Sequence, residues 1–375
     1  MGTIKQNFAN NVETGGTFDA QDLTGTIPAA NIANSSLSDI TTVPPTTSGG
    51  DLIQSVASDP PAPDFGDIWY NSTEQKIKLK ALGAGSWATG GNLNTARDLL
   101  GGAGPQSSNL VFGGEPYPSV SALTESYNGS SWTEVSDLNT GRLLVGGVGT
   151  DNTSVLAFGG NFSPPNYRAE TESWNGTSWT EVADLNDGRW AMAGNAGTES
   201  AALLFGGAPG EVPSSDAHTE EWNGTSWSNK ADMNTARSEN AGAGTVTAAL
   251  SIGGTPSYPT ATAVVEQWNG SAWTEITDLN TARNDLGGLK GGGTTTDTLV
   301  FGGLNRSVPS AYANTESWNG SAWTETTDLS TARYGASGSG TPSAAIYAGG
   351  NTGPASVATT EEWTVATPNQ SIQGS

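Results

Sequence analysis

The chain has 375 residues, no cysteine, a single histidine (His218) and a formal net charge of -23, with 37 acidic against 14 basic side chains. That balance excludes a surface built for nucleic-acid phosphates or anionic lipid, and without thiols there are no disulfides, thiolate metal sites or cysteine nucleophiles. One imidazole rules out a multi-histidine metal centre, and no run of about 18 apolar residues is present to cross a membrane.

The first residues, MGTIKQNFANNVETGG, lack the apolar stretch of a signal peptide, and Lys5 and Gln6 break a myristoylation pattern. Residues 1–50 carry only Phe8 and Phe18 as aromatics, with small apolar residues at irregular spacing. Such a piece buries little surface alone. It reads as an attachment or oligomerisation segment that orders against a partner or identical chains, or else as a flexible tail. Residues 51–65, with SDPPAPDFG, read as a linker. DIWYNSTEQKIKLKAL then predicts a hairpin over 66–82 with its turn at Ser72 to Gln75, because Ile77, Leu79 and Ala81 alternate with Lys76, Lys78 and Lys80. The lysine row predicts a solvated or edge-protecting face.

From Trp87 onwards the chain repeats. Asp-Leu-Asn-Thr-x-Arg and its variants place Arg97, Arg142, Arg189, Arg237, Arg283 and Arg333 at spacings of 45 to 50 residues. Short apolar runs follow, ending in Gly-Gly at 113, 159, 206, 253, 302 and 349, each the length of a buried strand and too short for a helix. Then comes Glu-x-Trp/Tyr-Asn-Gly with a second tryptophan, at Trp132, Trp179, Trp227, Trp273 and Trp323. Asn-Gly between aromatic strand residues predicts a hairpin, since both residues tolerate positive φ. That turn already accounts for the Asn residues that match the glycosylation pattern.

Each unit therefore supplies about four short strands, and six such units predict an all-β, six-bladed β-propeller of four-stranded antiparallel blades. The Gly-Gly doublet, the Glu-x-Trp/Tyr, the second tryptophan and the opening arginine resemble kelch repeats over residues 87–364. The unusually uniform Asp-Leu-Asn-Thr-x-Arg departs from that pattern and points to recent duplication. The last unit stops at Thr360-Glu361-Glu362-Trp363-Thr364 without its second tryptophan, while Gly85-Ser86-Trp87-Ala88-Thr89 supplies the missing strand. The two ends are thus expected to share the final blade, which removes open sheet edges. The propeller domain so read covers 66–364, with a tail over 365–375.

Glu125, Glu172, Glu220, Glu266, Glu316 and Glu361 stand two positions before the first aromatic of each unit. Paired with the six arginines they read as scaffold; the other reading is a ring of ligand-binding arginines at the channel mouth. His218 reads as a surface residue.

The segments after each Gly-Gly vary in length and content, and propellers generally put function on such loops. Tyr117, Tyr167, Arg168, Tyr258, Arg306 and Tyr312 are the candidate contact residues there, since Tyr and Arg favour recognition surfaces. No localised set of acid, base, nucleophile or metal ligands is visible, so no enzyme activity is expected. No cofactor is expected either, calcium being the one cation the acidic composition brings to mind. Residues 15–90, with TFDAQDLTGTIPAANIANSSLSDITTV and DPPAPDFGDIWYNSTEQKIKLKAL, resemble segments of tailed-bacteriophage fibre-like proteins, especially of marine phages. That resemblance implies a virion structural protein on the particle exterior or tail. It would be anchored to other virion proteins through residues 1–50, be a homo-oligomer, expected as a trimer, and present its propeller to a host glycan or surface protein. Nucleic acid and membrane insertion are not among its expected partners. The alternatives are a kelch-type protein-interaction module outside any virion and a carbohydrate-active enzyme using loop carboxylates.

Overall fold

The computed structural model describes residues 54–60, 68–80, 85–116, 119–162, 167–190, 194–209, 215–289, 292–308, 310–366 and 369–372. The attachment segment and Tyr117 lie outside the described residues. Among those described there is no helix, and the chain divides into two compact units, residues 1–84 with 365–375, and residues 85–364.

The first unit contains one four-stranded sheet. Gln54–Val56 runs parallel to Ile68–Asn71, which forms a hairpin with Lys76–Lys80, and Asn369–Ile372 pairs antiparallel with the far side of Lys76–Lys80. The hairpin turn falls at residues 72–75, where the Asn71 side-chain oxygen accepts the backbone N–H groups of Thr73 and Glu74. The lysine row is not uniformly solvated as expected. Lys78 is buried and donates to Asp59 at 2.9 Å and Glu74 at 2.6 Å, bonds that raise its pKa. The sequence pattern missed this because Asp59 comes from a Pro-rich stretch with no strand signal of its own.

The second unit is a six-bladed propeller. Blade 2 shows the repeating order: Gly146–Asp151 innermost, then Ser154–Phe158, Thr171–Trp174 and Trp179–Glu181, each antiparallel to the last. The innermost strands touch one another in cyclic order around the axis, the sixth meeting the first. Their Gly- and Ala-rich sequences make this possible. A Cβ on Gly242 would stand 2.4 Å from the backbone N and O of Asn195 on the neighbouring blade, so only a bare backbone fits there. The second strands, such as SVLAF, are apolar on both faces because each lies between two blades. The outer strands of blades 1 to 5 expose every residue but their tryptophan and, where longer, a half-buried last one.

The apolar core lies between blades. Phe112 and Leu110 of blade 1 pack with Val155, Trp174 and Trp179 of blade 2, and the same contact recurs from blade to blade. Each outer tryptophan reaches back to the blade before it. Trp179 Nε1 donates to Thr124 Oγ1 at 3.1 Å, and Trp227, Trp273 and Trp132 make the equivalent bonds to Thr171, Thr219 and Thr360. In blade 4 the threonine is replaced by Val265, and Trp323 donates to the Thr277 carbonyl instead. A lone blade would leave these faces in water, so the blades stabilise one another.

Ring closure is as the sequence predicts. Gly85–Thr89 is the outer strand of blade 6, beside Thr360–Val365. Trp87 lies 5.5 Å from Trp363 and 4.8 Å from Phe301 between ring centroids, and its Nε1 donates to Thr315 Oγ1. At the Asn-Gly turns only the glycine takes positive φ. The asparagine instead accepts two backbone N–H groups with its side chain, as Asn175 does from Thr177 and Ser178, so one residue bends the chain and the other caps it.

Candidate functional site

The landmark arginines are fully buried, each against the glutamate of its own unit. Arg142 Nη2 meets Glu172 Oε1 at 2.7 Å, while its Nη1 donates to the Gly159 and Glu170 carbonyls. The other carboxylate oxygen, Glu172 Oε2, accepts from the backbone N–H and the amide of Asn139, the asparagine of the Asp-Leu-Asn-Thr motif. Burial lowers the Arg142 pKa and the Glu172 charge opposes this. The remaining five arginines make the same ion pair. This motif fastens the connection between blades to the third strand of the next blade, and it leaves no guanidinium facing solvent.

Immediately after each arginine the repeat becomes non-uniform. The next residue forms a bridge with the residue following Gly-Gly: Asp98 with Glu115, Leu143 with Asn161, Trp190 with Ala208, Ser238 with Thr255, Asn284 with Leu304, and Tyr334 with Asn351. The residue after that takes left-handed φ at Leu99, Leu144, Glu239, Asp285 and Gly335. These residues hydrogen-bond end to end around the axis: Leu144 N to Leu99 O, Leu99 N to Gly335 O, Gly335 N to Asp285 O, and Asp285 N to Glu239 O, at 2.6 to 3.1 Å. A left-handed non-glycine residue costs roughly 1 to 2 kcal/mol, and the ring of bonds holds four of them in place.

This ring forms one mouth of the propeller. Blades 4, 5, 6 and 1 bring polar side chains to it, whereas blades 2 and 3 bring Leu143, Leu144 and Trp190. On the polar side a hollow of about 700 Å³ is lined by Asp98, Glu115, Arg306, Tyr334 and Asn351, with Leu99, Pro116 and Pro354 among the apolar walls. Arg306 Nη2 lies 3.0 Å from Glu239 Oε1, its Nε donates to Glu239 Oε2, and Nη2 also bonds Asp285 Oδ2. Thr255 Oγ1 donates to Glu239 Oε2 at 2.9 Å. Asp98 Oδ2 accepts from the amide of Asn351 at 2.5 Å.

Burial sets the electrostatics here. It pushes the Asp285 carboxyl up, Glu239 pushes it further, and Arg306 opposes both. Burial also raises Asp98, with Asn351 partly offsetting it, and raises Glu115, with Asp98 adding to the effect. Burial works against the Arg306 charge, but Asp285 and Glu239 outweigh it and hold that pKa above the ordinary arginine value.

The overall architecture is similar to that of YjhT. That structure superposes with a TM-score of 0.59 at 12% identity, over 72% of this chain and 95% of the YjhT chain. At that identity the likeness is one of fold. No protein-family model and no curated protein matches the sequence.

Of the residues picked from the variable loops, Arg306 stands in the hollow. Tyr258, half exposed, belongs to the loop that touches its own: Ser307 Oγ donates to the Pro259 carbonyl. Tyr167 and Arg168 are on blade 2, where Tyr167 bridges Asn161 and Arg168 pairs with Glu170 at 2.7 Å above the Phe162 ring. Tyr312 uses its backbone to tie Gly303 to Arg333. His218 is exposed, its Nδ1 3.0 Å from Asp216, which also meets Arg189. Asp98, Glu239, Asp285 and Tyr334 were missed by sequence reasoning that looked only after Gly-Gly. The signal that could have found them is the abrupt loss of uniformity one and two residues beyond each arginine.

Proposed function

We propose that this protein is a virion structural protein, a tail fibre or decoration, whose propeller binds a host-surface glycan in the axial hollow. The observation that carries the binding reading is the hollow itself: a concave space of about 700 Å³ where the otherwise uniform repeat supplies carboxylates, an amide and a tyrosine. Side-chain acceptors and donors around an apolar wall suit a hydroxyl-rich ligand of one or two rings, with the Tyr334 face available for a sugar's C–H surface. The virion setting is supported by the phage-like residues 15–90, and the kelch-like repeat is consistent with a rigid module that presents loops. A glycan array on the intact chain tests the binding: a defined set of glycans is retained by the wild type and lost by Tyr334→Ala. An array with no retained glycan removes this reading. Mass spectrometry of purified particles tests the setting, which fails if the chain is absent.

One observation favours a second reading, a carbohydrate-active enzyme. Asp98 and Glu115 are bridge partners in one hollow and both carboxyls are raised, as a general acid requires. Glycan hydrolysis abolished by Asp98→Asn and by Glu115→Gln would establish it.

A further inference from the structure

We infer that the cluster of Glu239, Arg306 and Asp285 holds one proton at neutral pH, on Asp285 Oδ1, so that the mouth of the propeller is firm in mild acid and loosened by mild alkali. The proton is held whether or not the hollow binds a glycan. Two buried carboxylates face one cation here: Glu239 is 6% exposed and Asp285 1%, and among the described residues Arg306 is the only basic side chain with which either of them pairs. Both accept from the same nitrogen, Nη2. Carboxylates that share one donor stand within roughly 4 to 6 Å of each other, a separation at which one charge opposes the second. Ionised together, they would leave a net negative charge out of water.

The hydrogen bonds tell the two acids apart. Asn284 Nδ2 donates to Thr255 Oγ1 at 2.5 Å, so the Thr255 hydroxyl is left to donate its own hydrogen to Glu239 Oε2, at 2.9 Å. Arg306 Nε donates to that same oxygen and Nη2 to Oε1. Three donors on two oxygens favour the ionised form of Glu239. Asp285 has one donor: Oδ2 accepts from Arg306, and the buried Oδ1 has no partner. A proton on that bare oxygen removes the surplus charge where nothing else offsets it. The other titratable groups that act on Asp285 bring no counter-charge. Asp98 is a further acid, and burial keeps the phenols of Tyr334 and Tyr347, from the entry to blade 6 and its second strand, neutral. Burial and then Glu239 accordingly push the Asp285 carboxyl up to about 8, against Arg306. Asp285 and Glu239 are also consecutive members of the axial ring, joined by Asp285 N to Glu239 O and both at left-handed φ, so repulsion between them falls on a strained part of the mouth.

Thermal melts of the full chain and of Asp285→Asn from pH 5 to pH 10 test this, asparagine being tolerant of the left-handed backbone at 285. The folded carboxyl binds its proton more tightly than the unfolded one at 3.8, so the wild type loses stability as pH rises from there towards 8, and the variant has no such proton to lose. The Tm of Asp285→Asn is expected to exceed that of the wild type. The gap should widen between pH 6 and pH 8 by about 4 °C, equivalent to a roughly 50-fold change in the folding equilibrium, and level off above about pH 9. A gap that stays constant from pH 6 to 8, or a variant less stable than the wild type at pH 8, overturns the inference, because an ionised Asp285 would be an ordinary partner of Arg306. If Asp285→Asn does not fold, infrared spectra of the wild type and Glu239→Gln decide. The wild type is expected to show at pH 6 the carbonyl stretch of a neutral carboxylic acid that is lost by pH 10, and Glu239→Gln, which removes the opposing charge, to lose it at least one pH unit lower. No such band in the wild type, or a band whose loss Glu239→Gln does not shift, overturns the inference as well.

Discussion

Replacing Glu172 with Gln in blade 2 keeps the side chain's shape and removes its charge. Arg142 would then sit at 0% exposure with the Gly159 and Glu170 carbonyls as partners and no counter-ion. Removing one member of a buried ion pair typically costs about 3 to 5 kcal/mol, because the survivor stays desolvated. Glutamine also turns an N–H₂ towards either Arg142 or the Asn139 amide, so one of the two acceptor roles of Glu172 is lost outright. For a unit of the size of residues 85–364, an unfolding entropy of about 0.6 kcal/mol/K converts this into a fall in Tm of roughly 5 to 8 °C. Differential scanning calorimetry measures it, with Glu221→Gln as the control. That residue pairs with Lys230 on the surface at 3.4 Å, where a loss below about 1 kcal/mol is expected. Equal shifts for the two variants would refute the claim that the repeated Arg–Glu pair acts through burial.

Asp98→Asn is expected to stabilise the fold at pH 7. The folded carboxyl pKa is raised above the unfolded value of 3.8, so the folded state binds the proton more tightly and the aspartate costs stability at every pH above that raised value. The advantage of the variant shrinks as pH falls through the raised pKa towards 3.8, which thermal melts across that range would follow. Gly242→Ala brings a methyl into the backbone of Asn195 and should destabilise by about 1 to 3 kcal/mol in urea titrations; a neutral effect would mean that the inner strands can separate. In blade 4 the Arg237 Nε donates to Ser251 Oγ at 3.2 Å, whereas Arg142 Nε has no partner and Ala157 occupies the matching position. Ala157→Ser should therefore raise stability by roughly 0.5 to 1.5 kcal/mol, measured the same way.

The strand-level reading was local and so was legible. Asn175-Gly176 caps and bends its own turn, Ser154–Phe158 is apolar because both its faces meet neighbours, and a period of about 47 residues announces equal blades. The closure through Trp87 was legible for the same reason, since an incomplete last unit and an orphan first strand are visible in one dimension. Lys78 was misread because its partner Asp59 has no periodic signature. The variable loops drew attention to Arg306, but its partners Glu239 and Asp285 sit in two other stretches of chain, directly after repeat arginines that read as scaffold.

What the residues determined by themselves was the unit: its strands, its turns, its Arg–Glu pair and the number of copies, each of which depends on contacts within one repeat or between adjacent ones. What only the tertiary structure decided was the hollow. Asp98 and Asn351 lie 253 positions apart, and Glu239 and Arg306 lie 67 apart, yet both pairs share one mouth. Closing the ring brings the non-uniform residues of blades 1, 5 and 6 to one hollow, and which charges share it becomes apparent only once those distant stretches of chain are side by side.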